Sequence, residues 1–126
     1  MRTRIFRILP LLLVLAGAGC ARNTAGIDSS ITAWADGGDI VVKNHTTRPV
    51  YYMAVDQELL AVMLWAPCDD PETCESIPAG GAVRIPRTEI GGVRAETRVV
   101  AVHAWHLVPE GAGYAVVMVG GAQVEL

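Results

Sequence analysis

The segment that decides the fold is TRVVAVHAWHLV, residues Thr97–Val108. It is rich in β-branched and aromatic residues, which are enriched in strands. It also lacks the 3.6-residue spacing of apolar side chains that marks an amphipathic helix. Successive side chains of a strand point to opposite faces, and here both faces are largely apolar. The segment therefore predicts a β-strand that is apolar on both faces.

Short runs of similar character flank this segment on both sides. Turn signals containing Gly, Pro, Asn or Asp separate the runs, a pattern typical of an all-β sandwich or barrel. The expected strands are Ile31–Ala35, Ile40–Asn44, Val50–Asp56, Leu59–Trp65, Ala82–Ile85, Thr97–Val108, Tyr114–Val119 and Gln123–Leu126. We therefore expect one all-β domain over residues 30–126, a sandwich of about seven to nine short strands.

The run Leu59–Trp65 also fits a second interpretation. With the residues just before it, it contains good helix formers, and Asp56 stands where a helix N-cap residue would stand. We favour a strand, because the neighbouring runs follow one another in the order of consecutive hairpins. A helix over Val55–Trp65 is the alternative.

Three of the expected strands lack the polar outer face that an antiparallel sandwich normally presents to water. They are Leu59–Trp65, Thr97–Val108 and Tyr114–Val119. One explanation is that these strands are central and that loops cover them. The other is that an apolar face meets a partner or a second copy of the chain, since large exposed apolar patches mark contact sites.

The sequence opens with the basic segment Met1–Arg7 and continues with an apolar run that ends in Ala18-Gly19-Cys20. This order is typical of a secretory signal peptide, and the run is shorter than the ~20 residues of a membrane-spanning helix. A Cys directly after small residues resembles the lipobox of bacterial lipoproteins. The resemblance implies that residues 1–19 are removed and that Cys20 is lipidated. Cleavage after Ala16-Gly17-Ala18 by ordinary signal peptidase is the alternative.

The lipoprotein resemblance also implies a location. The protein would be exported and held on its membrane by the lipid on Cys20. Residue 21 is Ala rather than Asp, which by the same resemblance favours the outer membrane, with the domain in the periplasm or at the cell surface. Residues 20–29 are small and polar and read as a flexible tether.

The charge balance excludes one class of partner. From Cys20 onward the chain has seven basic and thirteen acidic residues, a formal net charge of −6. An acidic domain has no electrostatic reason to bind nucleic acid or an anionic lipid surface. We therefore expect no nucleic-acid partner.

Cys68 and Cys74 are predicted to form a disulfide. An even pair of cysteines in an exported protein is typical of a disulfide, and the Asp70-Pro71 step between them favours a turn that brings them together. A zinc site is the alternative, but two thiols without a nearby His or third Cys make a poor ligand set.

No recognisable motif for catalysis, a cofactor or a metal occurs in the sequence. Ser29, Ser30 and Ser76 lie outside any Gly-x-Ser-x-Gly elbow. His103 and His106 would point to opposite faces of a strand, so they cannot readily share a metal. We expect no enzymatic activity, no cofactor and no metal site.

Aromatic side chains supply the candidate interaction residues, which are Tyr51, Tyr52 and Trp105. The pair Tyr51-Tyr52 places one ring on each face of a strand. Asn44-His45-Thr46 fits the N-x-T glycosylation pattern, which a bacterial lipoprotein would not use.

The mature part resembles small immunoglobulin-like lipoproteins of bacteria over residues 30–126. The resemblance rests on the strand pattern and on the Pro78-Ala79-Gly80-Gly81 turn before a strand. We expect an immunoglobulin-like β-sandwich that acts as a non-enzymatic interaction or structural domain in the cell envelope, with an envelope protein or a second copy as partner. The alternatives are a ligand- or peptide-binding module and an inhibitor of a secreted enzyme that presents Cys68–Cys74 or Pro86–Glu96.

Overall fold

The computed structural model describes residues 30–126. The predicted signal peptide, Cys20 and the tether lie outside the described residues. The described chain forms seven strands, one short α-helix and one 3₁₀ turn. The strands are β1 (Ile31–Asp36), β2 (Asp39–Asn44), β3 (Val50–Asp56), β4 (Ser76–Ile77), β5 (Ala82–Ile85), β6 (Val99–Glu110) and β7 (Gly113–Glu125); the helix is α1 (Gln57–Leu60), and the 3₁₀ turn is Arg87–Glu89.

The strands form two antiparallel sheets. One has the order β1-β2-β5 and the other the order β4-β3-β6-β7. Lettered A, B, C, C′, E, F and G along the chain, they place A-B-E in one sheet and C′-C-F-G in the other, which is the arrangement of an immunoglobulin-like sandwich. The prediction of an all-β sandwich of this class is confirmed.

The core lies between the two sheets. Alternate residues of the strands point into it, as the period of two requires. The buried cluster is Ile31, Ala33, Ile40, Val42, Val50, Ile77, Ile85, Ile90, Val100, Val102, Ala104, Ala122 and Val124. Because Val100, Val102 and Ala104 point inward, their neighbours Ala101 and Trp105 lie on the outer face of the four-stranded sheet.

The expected strand Leu59–Trp65 is wrong. The chain instead leaves β3 and forms the single turn α1, and Ala61–Glu75 then contains no strand. The side chain of Asp56 caps the helix, since its Oδ1 accepts a hydrogen bond of 2.8 Å from the backbone N–H of Glu58. The cap and the helix-forming residues after it divert the chain from the sheet. The helix alternative holds only for Gln57–Leu60, and Ala61–Trp65 is neither helix nor strand.

A second difference concerns Gly120-Gly121, which we expected to separate two strands. Both glycines lie within β7, which joins the expected strands Tyr114–Val119 and Gln123–Leu126 into one. The β6–β7 pairing shifts register between Ala104 and Trp105, and this bulge lets the strand continue. A Cβ on Gly121 would lie 3.0 Å from the carbonyl oxygen of Val102, so glycine permits a close approach of β7 to β6.

Candidate contact surface

The outer face of the four-stranded sheet is covered over part of its length by residues 57–75, which we call the strap. Trp65 of the strap packs on His103, with ring centroids 5.4 Å apart, and on Trp105 at 6.3 Å. The indole N–H of Trp105 donates a 2.9 Å hydrogen bond to the carbonyl oxygen of Cys68. Trp105 is thereby only 2% exposed, although it lies on the outer face.

A disulfide fixes the far part of the strap. Cys68 and Cys74 are bonded, with their Cα atoms 5.8 Å apart, so this prediction is confirmed. The backbone N–H of Cys74 also donates to the carbonyl oxygen of Asp70 at 2.9 Å, which closes the turn between the two cysteines. The bridge closes this part of the strap on itself, next to the hydrogen bond by which Trp105 holds the Cys68 carbonyl group on the sheet.

A buried carboxylate fixes the beginning of the strap. Asp56 is 2% exposed; besides capping α1, it accepts a hydrogen bond from the Thr97 hydroxyl. The guanidinium Nη2 of Arg94 lies 3.8 Å from the Oδ2 atom of Asp56. The Thr97 hydrogen bond, the backbone N–H groups of α1 and the Arg94 charge outweigh the effect of burial and lower the pKa of Asp56. The carboxylate is therefore ionised when it anchors the strap.

The three aromatic residues predicted for interaction differ in their burial and their contacts. Trp105 is buried under the strap, so it does not form part of an exposed surface. Tyr51 is half-buried opposite Trp105 in the β3–β6 pairing. Tyr52 packs against the core cluster, and its hydroxyl donates to Glu75 at 3.0 Å. Burial and the neighbouring carboxylates raise the pKa of Tyr52 to about 12.

Beyond Trp105 the outer face is more exposed: Tyr114 and Met118 are exposed, and Leu107 and Val116 are half-buried. The β3–β6 pairing ends at Tyr51 and Trp105, whereas β6 and β7 continue as a pair to Glu110 and Gly113. We call residues 107–118 the arm. Among the described strands, none other than β6 is hydrogen-bonded to β7, so the arm is a two-stranded ribbon, while β1 contacts β7 without pairing with it.

The arm is apolar on both faces. Leu107 and Val116 form a cross-strand pair on the outer face, while Val108 and Ala115 form one on the opposite face. Tyr114, Val117 and Met118 are 44%, 46% and 48% exposed. The sequence from Gly111 to Val124 has no charged residue, and Glu110 is the only charge within the arm. An exposed apolar face is one of the two explanations that the sequence leaves open, and the arm has such a face. The strap also exposes apolar side chains, since Val62 and Leu64 are 82% and 103% exposed.

A polar cluster fixes the base of the arm. The ring of His106 lies 3.1 Å from the Thr46 hydroxyl and 3.5 Å from the Arg48 guanidinium. Burial and the Arg48 charge lower the pKa of His106. Asn44 organises the loop below, since its amide donates to the carbonyl oxygens of Arg48 and Ile77 at 2.8 and 3.1 Å.

The geometry of Asn44 also explains its place in an N-x-T motif. Its side chain is buried, and its Oδ1 accepts from both the backbone N–H and the hydroxyl of Thr46, at 2.8 and 2.7 Å. The motif therefore has a structural role at this turn.

The chain enters the domain at the same base. The carbonyl oxygen of Ser30 accepts a hydrogen bond of 2.8 Å from the backbone N–H of His45. The ring of His45 in turn lies 2.7 Å from the Thr32 hydroxyl. Since Thr46 contacts His106, the entry point and the base of the arm are neighbours.

A recess of about 470 Å³ lies between α1 and the outer face of β6 and β7. Its walls include Gln57, His103 and Gln123, with Leu60 and Ala101. Burial lowers the pKa of His103, so its ring is neutral near pH 7. The Gln57 Oε1 atom is buried without a hydrogen-bond partner among the described residues. The volume lies within the range of small-ligand pockets.

Residues 30–126 contain no group of three or more His, Cys, Asp and Glu side chains placed to hold a metal ion. No helix in this part of the chain is long and apolar enough to cross a membrane. No protein-family model, curated protein or solved structure matches the chain. Functional inference therefore depends on the geometry of the sandwich, the strap and the arm.

Proposed function

We propose that this protein is a lipid-anchored interaction protein of the bacterial cell envelope. Cys20 would carry the lipid, with the outer membrane as the favoured location, and the β-sandwich would make non-enzymatic contacts with another envelope component. The observation that carries the proposal is the arm, which exposes apolar side chains on both faces of a strand pair. Exposed apolar patches of this kind mark contact sites.

The position of the strap supports the proposal that the arm is the surface that contacts another envelope component. The outer face of the same strand pair runs from the region around Trp105 into the arm, and the strap packs on Trp105 but not on the arm. The chain therefore supplies its own cover for one half of the outer face. The other half needs a cover from outside, and an envelope protein, a second copy or the membrane could supply it.

Photo-crosslinking in intact cells tests this proposal. A benzophenone amino acid at position 117 of the arm should give adducts with an envelope component, protein or lipid. The matched control carries the same group at position 64, an exposed Leu of the strap. Mass spectrometry of the purified protein should show a lipid on Cys20. An unmodified N-terminus, or adducts from position 64 and none from position 117, would contradict the proposal.

The second candidate, binding of a small ligand, is favoured by the recess beside α1 and by the unpartnered Gln57 oxygen. A fragment screen by ligand-observed NMR would compare the protein with its Gln123→Trp variant, in which the indole fills the recess from an exposed position. Hits that the variant loses would support ligand binding. Hits retained by the variant, or none with either protein, would exclude this recess as the site.

A further inference from the structure

We infer that the arm inserts into the interfacial region of the lipid bilayer on which the protein is anchored. This inference rests on the proposed function, because it takes the lipid on Cys20 as the primary anchor. It names the partner of the arm as a lipid surface rather than a protein.

The first argument is that both faces of the arm are apolar. Val116 and Met118 lie on the outer face, and Val108 and Val117 lie on the other. A second copy that added a strand to the free edge of β7 would leave both faces in water, and a protein docked on one face would leave the other exposed. A lipid surface surrounds the ribbon and covers both faces together.

The second argument is position. The chain joins the domain at Ser30, beside the base of the arm, so the tether begins where the arm begins. Residues 20–29 reach at most about 35 Å when extended, and a flexible coil of that length spans about 17 Å. From His106 to the turn at Gly111, β6 rises a similar distance of about 17 Å. A membrane that holds Cys20 is thus within reach of the tip.

The third argument is charge. The domain is acidic, with six basic and twelve acidic residues over residues 30–126, so an anionic lipid surface repels most of it. Two exposed segments escape this repulsion: the arm, where Glu110 is the only charged residue, and residues 59–68 of the strap, which carry no charge. Of the two, the arm is the one that exposes apolar side chains on both faces of a strand pair. Attraction would therefore come from apolar side chains and from Tyr114, because tyrosine is enriched at membrane–water interfaces.

The backbone sets the depth. Among the described strands, β6 is the only hydrogen-bonded neighbour of β7, so no strand pairs with the N–H and C=O groups on the other edge of the arm. Such groups are too costly in the hydrocarbon core. The arm therefore lies in the headgroup and upper acyl region, about 5–10 Å deep, where backbone groups still meet water. It serves as a second contact beside the lipid, and two signals make membrane attachment stable.

The test uses the full-length, lipidated protein reconstituted in vesicles of phosphatidylethanolamine and phosphatidylglycerol that contain brominated phosphatidylcholine. An environment-sensitive fluorescent amino acid replaces Val117 in one sample and Leu64 in the matched control. Both positions are exposed and apolar, but only the first lies in the arm. The bromolipid should quench the probe at position 117 several-fold more than the probe at position 64, with a blue shift of emission at 117 alone.

A second substitution makes the result specific. Met118→Asp should abolish the quenching at position 117, whereas Val62→Asp in the strap should leave it unchanged, with circular dichroism confirming that both variants fold. Equal quenching at positions 117 and 64 would overturn the inference. A blue shift at 117 without quenching would also overturn it and would indicate a second copy of the protein on the arm. Flotation with the vesicles tests anchoring by the lipid on Cys20 separately. A protein that does not float would contradict the proposed function, whereas a protein that floats without quenching at position 117 would contradict only the insertion of the arm.

Discussion

Trp105 and Met118 lie directly opposite each other in the β6–β7 pairing, yet Trp105 is 2% exposed and Met118 is 48% exposed. The two side chains share one face of one sheet. The difference is the strap, which lays Trp65 and the Cys68 carbonyl group on Trp105 and ends before the arm. Burial on this face is thus decided by a distant segment of chain rather than by the strands.

The covered and bare halves of the strand pair therefore have different roles. The covered half stabilises the fold, because the Trp105 side chain packs on Trp65 and donates its hydrogen bond to the Cys68 carbonyl oxygen. The bare half contributes little to the fold and leaves its apolar surface for contact. Substitutions in the two halves should separate stability from binding.

The largest expected effect is that of Trp105→Ala. Removing a fully buried aromatic side chain typically costs about 3–5 kcal/mol of unfolding free energy, and here the Cys68 carbonyl group also loses its donor. Met118→Ala, the matched substitution in the arm, should change stability by no more than about 0.5 kcal/mol. Urea denaturation of both variants measures the difference, and similar losses in the two would mean that the arm is as much part of the fold as the covered half.

Opening the disulfide by Cys68→Ser with Cys74→Ser should have the next largest effect. Closing so short a loop is worth roughly 2–2.5 kcal/mol in the chain-entropy model. Because the bridge adjoins the Trp105 contact, the loss should be accompanied by faster hydrogen exchange across the strap and no change in the arm. An unchanged denaturation midpoint would show that the strap is held without the bridge.

The sequence predicted the sandwich well because its signals are local. The Asp36-Gly37-Gly38-Asp39 turn, for example, joins β1 and β2 through two residues with φ of 60° and 88°. Asn-, Asp- or Gly-rich sequences of this kind favour the primed turns that close hairpins. The Cys68–Cys74 pair was predictable for the same reason, since the two residues lie six apart.

The strap could not be predicted because an apolar run gives no sign of what it packs on. The apolar composition of Leu59–Trp65 fits a strand within a sheet, and it fits equally well a loop segment that packs over a sheet. The signal that could have decided it was Asp56 followed by helix-forming residues, and hairpin order outweighed that signal. The burial of Trp105 depends on Trp65 and Cys68, far away in sequence, so the division between covered and bare halves came only from the structure.

A smaller effect is expected at the beginning of the strap. Asp56→Ala removes the cap of α1 and the acceptor of the Thr97 hydroxyl, and loss of an N-cap costs about 0.5–2 kcal/mol. Glu58→Ala is the control, because Glu58 is exposed and pairs with Arg94 only at the surface, where such pairs contribute about 0–1 kcal/mol. Thermal denaturation of both variants tests the contrast, and equal losses would remove Asp56 as the anchor of the strap.

The smallest expected effect is a change of stability with pH. It arises from two histidines, one in the covered half and one at the base of the arm. Burial lowers the pKa of His103 under the strap and of His106 at the base of the arm below 6.5. The folded state therefore binds these protons less readily than the unfolded state, so stability is complete above about pH 6.5 and declines as the pH falls through that value. Denaturation at pH 7 and pH 5 should show the decline, and His103→Gln should reduce it. A midpoint that rises toward pH 5 would contradict this reasoning.

The most direct test of the account is hydrogen–deuterium exchange on the full-length protein, measured in detergent and in membranes from its own envelope. The central claim is that the arm is the contact surface and that the strap is an internal cover. We predict that exchange across residues 113–118 slows in membranes, while exchange across residues 57–75 stays the same. Slower exchange in the strap with no change in the arm would contradict the account.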